Sequence, residues 1–279
     1  MNRAAYNALP GINWSTLKHA GKSPKHYRHA VDAGDKEPTP AMRIGSAVHC
    51  AVLEPDEFPR RYVVWTGGAR RGKAWTTFRD SVEDGREILT ESECDRCIAI
   101  RDAVRNDPVA AKYLAGPGTF ERVIQWTDEE TGLRCKGIID RCADDVDGKR
   151  VLVDLKTTAD ANPHKFAATA ARLGYHGQFA YYFDGMDASG EPVDRVVMIV
   201  VETSGPFDVC VYNVGEEVLW AGEEMYRGLL EKVKGCMSLG RWPGRFLCEE
   251  EFTLPQWAYP DDGEDVADAL GLTGLEDGR

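Results

Sequence analysis

The chain has 279 residues, 43% of them hydrophobic, and a formal net charge of -12, which suits one compact domain with appendages. No run reaches the ~18 apolar residues needed to span a bilayer, and the opening "MNRAAYNALPGINW" lacks the apolar stretch of a secretion signal, so a cytoplasmic protein is expected. Eight scattered cysteines then read as free thiols rather than a disulfide framework, and the acidic balance argues against charge-driven, sequence-independent nucleic-acid binding by the surface as a whole.

The charge is unevenly spread. Residues 1–80 hold thirteen Lys and Arg against seven Asp and Glu, whereas residues 241–279 hold three against ten, so a basic face can exist on an acidic protein. In chain order, "NWSTLKHAGKSPKHYRHAV" reads as helix with Ser15 as its N-cap, and "TPAMRIGSAVHCAVLEP" as an apolar-striped helix closed by Pro55. A short strand, "RYVVWT", leads into the polar, Gly-rich loop "GGARRGKAW". Helix resumes in "TESECDRCIAIRDAVRNDPVAAKYL", where Thr90 and Glu93 have capping-box spacing and Pro108 marks a break.

From residue 118 the period becomes that of strands: "GTFERVIQWTD", "GLRCKGIIDRCADD" and "KRVLVDLKTT", separated by turn-like "DEETG" and "DVDGK", predict an antiparallel meander. A helical stretch through "NPHKFAATAARLGYHGQFAYYFDGM", strands "VDRVVMIVVET" and "FDVCVYNV", and a long helix "GEEVLWAGEEMYRGLLEKVKGCM" follow. The order α, βββ, αα, ββ, α predicts an α/β or α+β core, a mixed central sheet flanked by helices. The acidic, Gly-rich tail over 261–279 is expected to be flexible or to dock on a partner.

Within "VLVDLKTT", alternate side chains share a face, so Asp154 and Lys156 point one way and Leu155 the other. The preceding strand carries "KGIID", which places Asp140 where a hairpin partner can bring a second carboxylate beside Asp154. Two oxygen anions at a strand end suit Mg²⁺, and a lysine beside them can orient or deprotonate water or stabilise developing charge. The other reading of D-x-K is an ordinary ion pair on a solvated face. The apolar flanks imply burial, which an ion pair needs a reason to accept.

"GSAVH", "KGIIDR", "VLVDLKTT" and "YHGQFAYY", in that order, resemble the PD-(D/E)xK nuclease superfamily in its RecB/RecE-like branch. The opening "NWSTLKHAGKSPKHYRHA" with "AMRIGSAVHCAVLEPDEF" is similar to the RecE exonuclease (exodeoxyribonuclease VIII) group of phages and prophages, the likeness covering roughly residues 10–235. It implies a restriction-endonuclease-like core: one nuclease domain over 1–260, mainly helical to 115, with the catalytic part over 116–235. It makes Asp140 and Asp154 metal-binding acids, Lys156 the catalytic lysine, and His49 a further ligand or positioning group. Glu121 becomes an acid supporting the second metal or the attacking water, or else a merely solvent-facing residue. Gln178 and Tyr182 match a Q-x-x-x-Y helix whose spacing of four puts both on one face.

The implied reaction is two-metal hydrolysis of a phosphodiester with two Mg²⁺ ions, Mn²⁺ being able to substitute. The family further implies an exonuclease on duplex DNA ends, 5'-to-3', leaving 3' single strands for recombination. A homo-oligomeric ring, a tetramer by resemblance, and a single-strand annealing recombinase as partner belong to the same expectation, in a bacterial host or phage-infected cell. Its rivals are a DNA-end-binding module without turnover and a nuclease of single strands or flaps. Gly67, Gly72 and Lys73 have P-loop spacing, but Ala74 stands where the Mg²⁺-binding hydroxyl would be. The loop reads instead as a DNA contact, with Arg70, Arg71 and Lys73 for phosphates and Trp75 or Trp65 for base stacking, or as a solvated basic loop. Cys94 and Cys97 have C-x-x-C spacing in a helical pattern, without the clustered downstream cysteines of iron-sulfur relatives, so no cluster is expected.

Overall fold

The computed structural model describes residues 3–34, 39–82 and 85–259; the tail expected over 261–279 lies outside the described residues. The N-terminal third supplies helices α1 (Arg3–Ala8), α2 (Trp14–Leu17), α3 (Pro24–Asp32), α4 (Pro40–Leu53) and α5 (Phe58–Arg61), strand β1 (Tyr62–Trp65), helix α6 (Gly72–Ser81), strand β2 (Glu87–Thr90), and helices α7 (Glu91–Asn106) and α8 (Pro108–Leu114). The remainder runs β3 (Gly118–Thr127), β4 (Arg134–Val146), β5 (Lys149–Thr158), α9 (Pro163–Leu173), α10 (Tyr175–Ala188), β6 (Arg195–Glu202), β7 (Val209–Val214) and α11 (Glu216–Leu239). No helix among the described residues is long and apolar enough to cross a membrane.

Local chemistry explains where several boundaries fall. Asn13, not Ser15, caps α2: its side chain accepts the N–H of Thr16 at 2.9 Å, and the Ser15 hydroxyl donates to it. Ser23 then caps α3, with Pro24 at the first position, so the single helix expected here is broken into pieces. The Thr90–Glu93 capping box forms, and Asp107 caps α8 where Pro108 interrupts the helix. The Gly-rich loop is shorter than expected, because α6 starts at Gly72 and carries Lys73 and Trp75. Strand β2 was not expected; it pairs in parallel with β1.

The main sheet has the order β3-β4-β5-β6-β7. β3, β4 and β5 form the antiparallel meander, β6 joins β5 in parallel, and β7 closes the edge antiparallel to β6. The parallel junction requires a crossover, supplied by α9 and α10, which break at Gly174 with φ +72. Alternation along the strands buries both faces. Leu152, Val196, Met198 and Val200 pack with Trp14, Phe179, Tyr181 and Leu230, from α2, α10 and α11. Val151, Val153, Leu155, Val197 and Ile199 pack with Val48, Val52, Ile100 and Val104, from α4 and α7. The result is a mixed α/β fold, a five-stranded sheet between two helical layers.

One irregularity positions everything that follows. β4 pairs with β5 only between Arg141↔Val153 and Val146↔Lys149. Beyond that, β4 continues along β3 to Arg134↔Thr127, while β5 continues along β6 to Thr158↔Glu202. The strands part at Asp140 and Asp154. On β4, beyond the fork, the Ile12 N–H donates to the Arg134 carbonyl and the Lys136 N–H to the Ile12 carbonyl, both at 2.8 Å.

Candidate metal centre

At the fork, Asp140 and Asp154 occupy opposing positions one step beyond the Arg141↔Val153 pair. Asp140 Oδ2 accepts the Leu155 N–H at 2.8 Å, meeting a donor that the divergence of the strands leaves without a β4 partner. Asp154 is only 2% exposed. Its Oδ2 lies 2.5 Å from Lys156 Nζ, and its Oδ1 accepts from Gln178 Nε2 at 3.4 Å. Despite the nearby ammonium, Oδ2 has no hydrogen bond of regular geometry. Lys156 Nζ also sits 4.9 Å from the centre of the Tyr175 ring and 5.9 Å from that of Phe179, faces that favour its cationic form.

Helix α4 delivers His49. Thr39 caps it and Pro40 opens it, while fully buried Val48 and Val52 fasten it in the core. His49 Nδ1 then lies 3.5 Å from Asp140 Oδ2. Glu121, on β3, stands opposite Asp140, between the pairs Phe120↔Arg141 and Arg122↔Ile139. Its φ is +47, a left-handed conformation that costs a non-glycine residue about 1–3 kcal/mol and that clusters at functional sites. One ligand atom each from His49, Glu121 and Asp140 lies within 4.8 Å of the other two.

The electrostatics suit a cation. Burial raises Asp154 to about 6, with Lys156 opposing the rise and Asp140 reinforcing it, and burial raises Asp140 as well. His49 is pushed down to about 4, first by burial and then by the charge of Lys156, leaving a neutral imidazole free to ligate. For Lys156, burial works against the charge, but Asp154 and Asp140 outweigh it and hold the ammonium above the ordinary lysine range. Asp140 and Asp154 thus share one ammonium, and the buried Asp154 Oδ2 meets it without a hydrogen bond of regular geometry. Carboxylate oxygens with one imidazole fit a hard divalent ion such as Mg²⁺ or Mn²⁺; His49, Glu121 and Asp140 could hold it, with the Asp154 carboxylate across the fork from Asp140.

Gln178 and Tyr182 lie one turn apart on α10, and both reach the fork. The Tyr182 ring packs against Gly137 of β4, where an added Cβ would come within 2.8 Å of it. Burial raises its hydroxyl well above the ordinary tyrosine range, so it stays protonated. The basic loop is less free than its sequence implies. Arg70 donates to the Ile88 carbonyl at 2.8 Å and pairs with Glu93 at 2.5 Å, which binds it to β2 and the start of α7. Trp65 is 9% exposed, packs on Phe78 and donates to the Gly68 carbonyl, so base stacking is not open to it as it stands. Arg71 and Lys73 are exposed, and Trp75 is half-buried edge-on to Trp65.

Sequence reasoning passed over two features of the site. Tyr175 and Phe179 flank Lys156, and their spacing of four in "YHGQF" was the available signal. Lys18, exposed after α2, has its pKa lowered by partial burial first and then by the charges of Lys156 and Lys22. All eight cysteines are free, Cys94 and Cys97 among them on α7.

A family model described as a PDDEXK-like domain of unknown function (DUF3799) matches residues 13–252. Among solved structures, a protein from Eubacterium rectale described as a candidate exonuclease is similar in fold, with a TM-score of 0.58 and 12% identity over 96% of this chain and 97% of that one. The protein SSO0001 aligns with a TM-score of 0.31 and 10% identity over 83% of this chain and 87% of that one. No curated protein matches the sequence.

Proposed function

This chain belongs to the PDDEXK-like family whose model spans residues 13–252, and on that premise we propose that it is a divalent-metal-dependent nuclease that hydrolyses DNA from duplex ends. The observation that carries the reading is the fork. Two sequence-distant elements, α4 and β3, bring His49 and Glu121 to Asp140, and Asp140 is joined through the Leu155 amide to the strand bearing Asp154 and Lys156. A surface ion pair needs none of this. The fold likeness to the Eubacterium rectale protein agrees with it.

Bound by His49, Glu121, Asp140 and Asp154, divalent ions would lower the pKa of water and offset charge on the phosphate oxygens. The chain's own groups do the rest. The Lys156 ammonium, fixed by Asp154 and the aromatic faces of Tyr175 and Phe179, donates hydrogen bonds to a phosphate oxygen or to the attacking water. As a cation at neutral pH it acts as donor and charge stabiliser before it acts as a base. Gln178 restrains the Asp154 carboxylate, and the protonated Tyr182 hydroxyl is available as a donor. Arg71, Lys73 and Lys18 would bind the backbone of the strand on either side.

In its finer form the proposal is a RecE-like exonuclease that uses two Mg²⁺ ions and works 5'-to-3', leaving 3' single strands for an annealing recombinase. A ring of copies would turn the basic N-terminal third toward the DNA while the acidic remainder faces solvent. The test is digestion of end-labelled linear duplex with Mg²⁺, beside single strands of equal length and an Asp154→Ala control. Release of nucleotides from duplex ends, lost in the variant, supports the reading. Digestion by Asp154→Ala at the native rate overturns the site, and binding without release by the native protein overturns turnover.

A further inference from the structure

Arg141 is the largest fully buried side chain among the described residues, at 0% exposure, and it directly follows Asp140. Burying a guanidinium is costly unless its donors are met, and no ion pair with a carboxylate meets them among the described residues. Four backbone carbonyls do. Nε donates to Tyr113 at 2.7 Å, and Nη2 to Ala115, Gly116 and Pro117 at 2.7, 3.2 and 3.4 Å. The guanidinium lies 4.3 Å from the centre of the Phe120 ring, and Phe120 is its own cross-strand partner.

These groups are the end of α8 and the turn that feeds β3. The same turn is held from β4 a second time, by the Asp144 N–H donating to the Pro117 carbonyl at 3.1 Å. The next residue after Phe120 is Glu121, whose left-handed backbone persists only if its surroundings over-determine it. Lysine could not take this place: it has no flat face for the ring and no rigid fork of donors for a row of carbonyls.

We propose that Arg141 is a positioning residue of the metal centre: by gripping the 113–117 turn and Phe120, it holds Glu121 opposite Asp140 so that both acids and His49 reach one ion. The proposal rests on the metal-dependent reading above and adds to it a buried cation that shapes the site without touching metal or DNA.

The test is Mn²⁺ binding by calorimetry on the full chain, with thermal unfolding alongside, for the native protein, Arg141→Lys, Glu121→Gln and the double variant. Arg141→Lys should weaken Mn²⁺ binding about 10- to 100-fold, the range for lost support behind a ligand. Adding Glu121→Gln to it should then cost less than about twofold more, since both act through one group. Native affinity in Arg141→Lys, or losses that multiply in full, overturns the role given to Arg141. Should Arg141→Lys not fold, Phe120→Leu replaces it with the same expected and contrary outcomes. A native protein that binds no Mn²⁺ overturns the metal-dependent reading, and Arg141 with it; native binding with an unaffected Arg141→Lys overturns Arg141 alone.

Discussion

Asp140 Oδ2 accepts the backbone N–H of Leu155 at 2.8 Å, so the acid of one strand is tied to the residue between the acid and the lysine of the next. This relationship separates two jobs of one carboxylate. Asp140→Asn keeps an oxygen for the Leu155 amide and should unfold near the native temperature, yet lose more activity than the roughly 100-fold that follows loss of a supporting partner. Asp140→Ala should lose that activity and also about 1–3 kcal/mol of stability, because the amide is left unmet. Thermal melts and digestion rates of the two variants check this; equal melting temperatures would argue against the structural half.

Without metal, two groups in the site titrate against each other. Asp154 sits at about 6, above its unfolded value of 3.8, so it contributes stability that is present below about pH 4 and lost as pH rises through about 6. His49 sits at about 4, below its unfolded 6.5, and therefore contributes stability that is gained as pH rises over nearly the same window. Asp140, also raised by burial, adds to the Asp154 side, so the native protein in chelator should lose stability gently as pH rises from about 4 to 6.5. His49→Gln removes the compensating half, and its melting temperature should fall as pH rises through that range. Parallel profiles for the two proteins would refute the assignment.

Gly137 leaves room for the Tyr182 ring, and a Cβ would stand 2.8 Å from it. Gly137→Ala should cost about 1–3 kcal/mol by overpacking and reduce digestion by moving Tyr182. A Tyr182→Leu change made in addition should recover most of the stability and none of the activity. If the melting temperature does not recover, the clash lies elsewhere.

Lys18, felt electrostatically by Lys156, has no ion pair with a carboxylate among the described residues. Lys18→Ala should raise KM several-fold with little change in kcat, and should flatten the salt dependence of DNA binding by about one phosphate contact. An unchanged salt slope would remove Lys18 from the DNA path.

The aromatic support of Lys156 can be divided in the same way. Tyr175→Phe keeps the ring that lies 4.9 Å from Nζ and should digest at near the native rate. Tyr175→Leu removes a cation–π contact worth about 0.5–2 kcal/mol and should lower kcat more than KM. Equal losses in both variants would mean that the hydroxyl, not the ring, is what matters.

Much of this architecture was legible in the chain because it follows from alternation. The strand-forming apolar runs of β3 to β7 and the 3.6-period stripes of α4 and α11 are written locally, without reference to anything distant. The same logic set Leu155 apart from Asp154 and Lys156, and it is Leu155 that packs toward α4 and α7. What the chain did not show were features decided by neighbours. The choice of Asn13 over Ser15 as a cap depends on which hydroxyl or amide meets Thr16. The engagement of Arg70 depends on Glu93, twenty-three residues later. Strand β2 is four residues long and forms beside β1.

Alone, then, the sequence determined which residues are acids, which faces they share and the order of the elements, since these follow from side-chain type and short-range period. Tertiary structure decided that β4 and β5 part at Asp140 and Asp154, that Glu121 takes a left-handed backbone opposite Asp140, and that Arg141 is spent on carbonyls. Each of these is a competition for backbone partners between segments far apart in the chain, and no local pattern records who wins it.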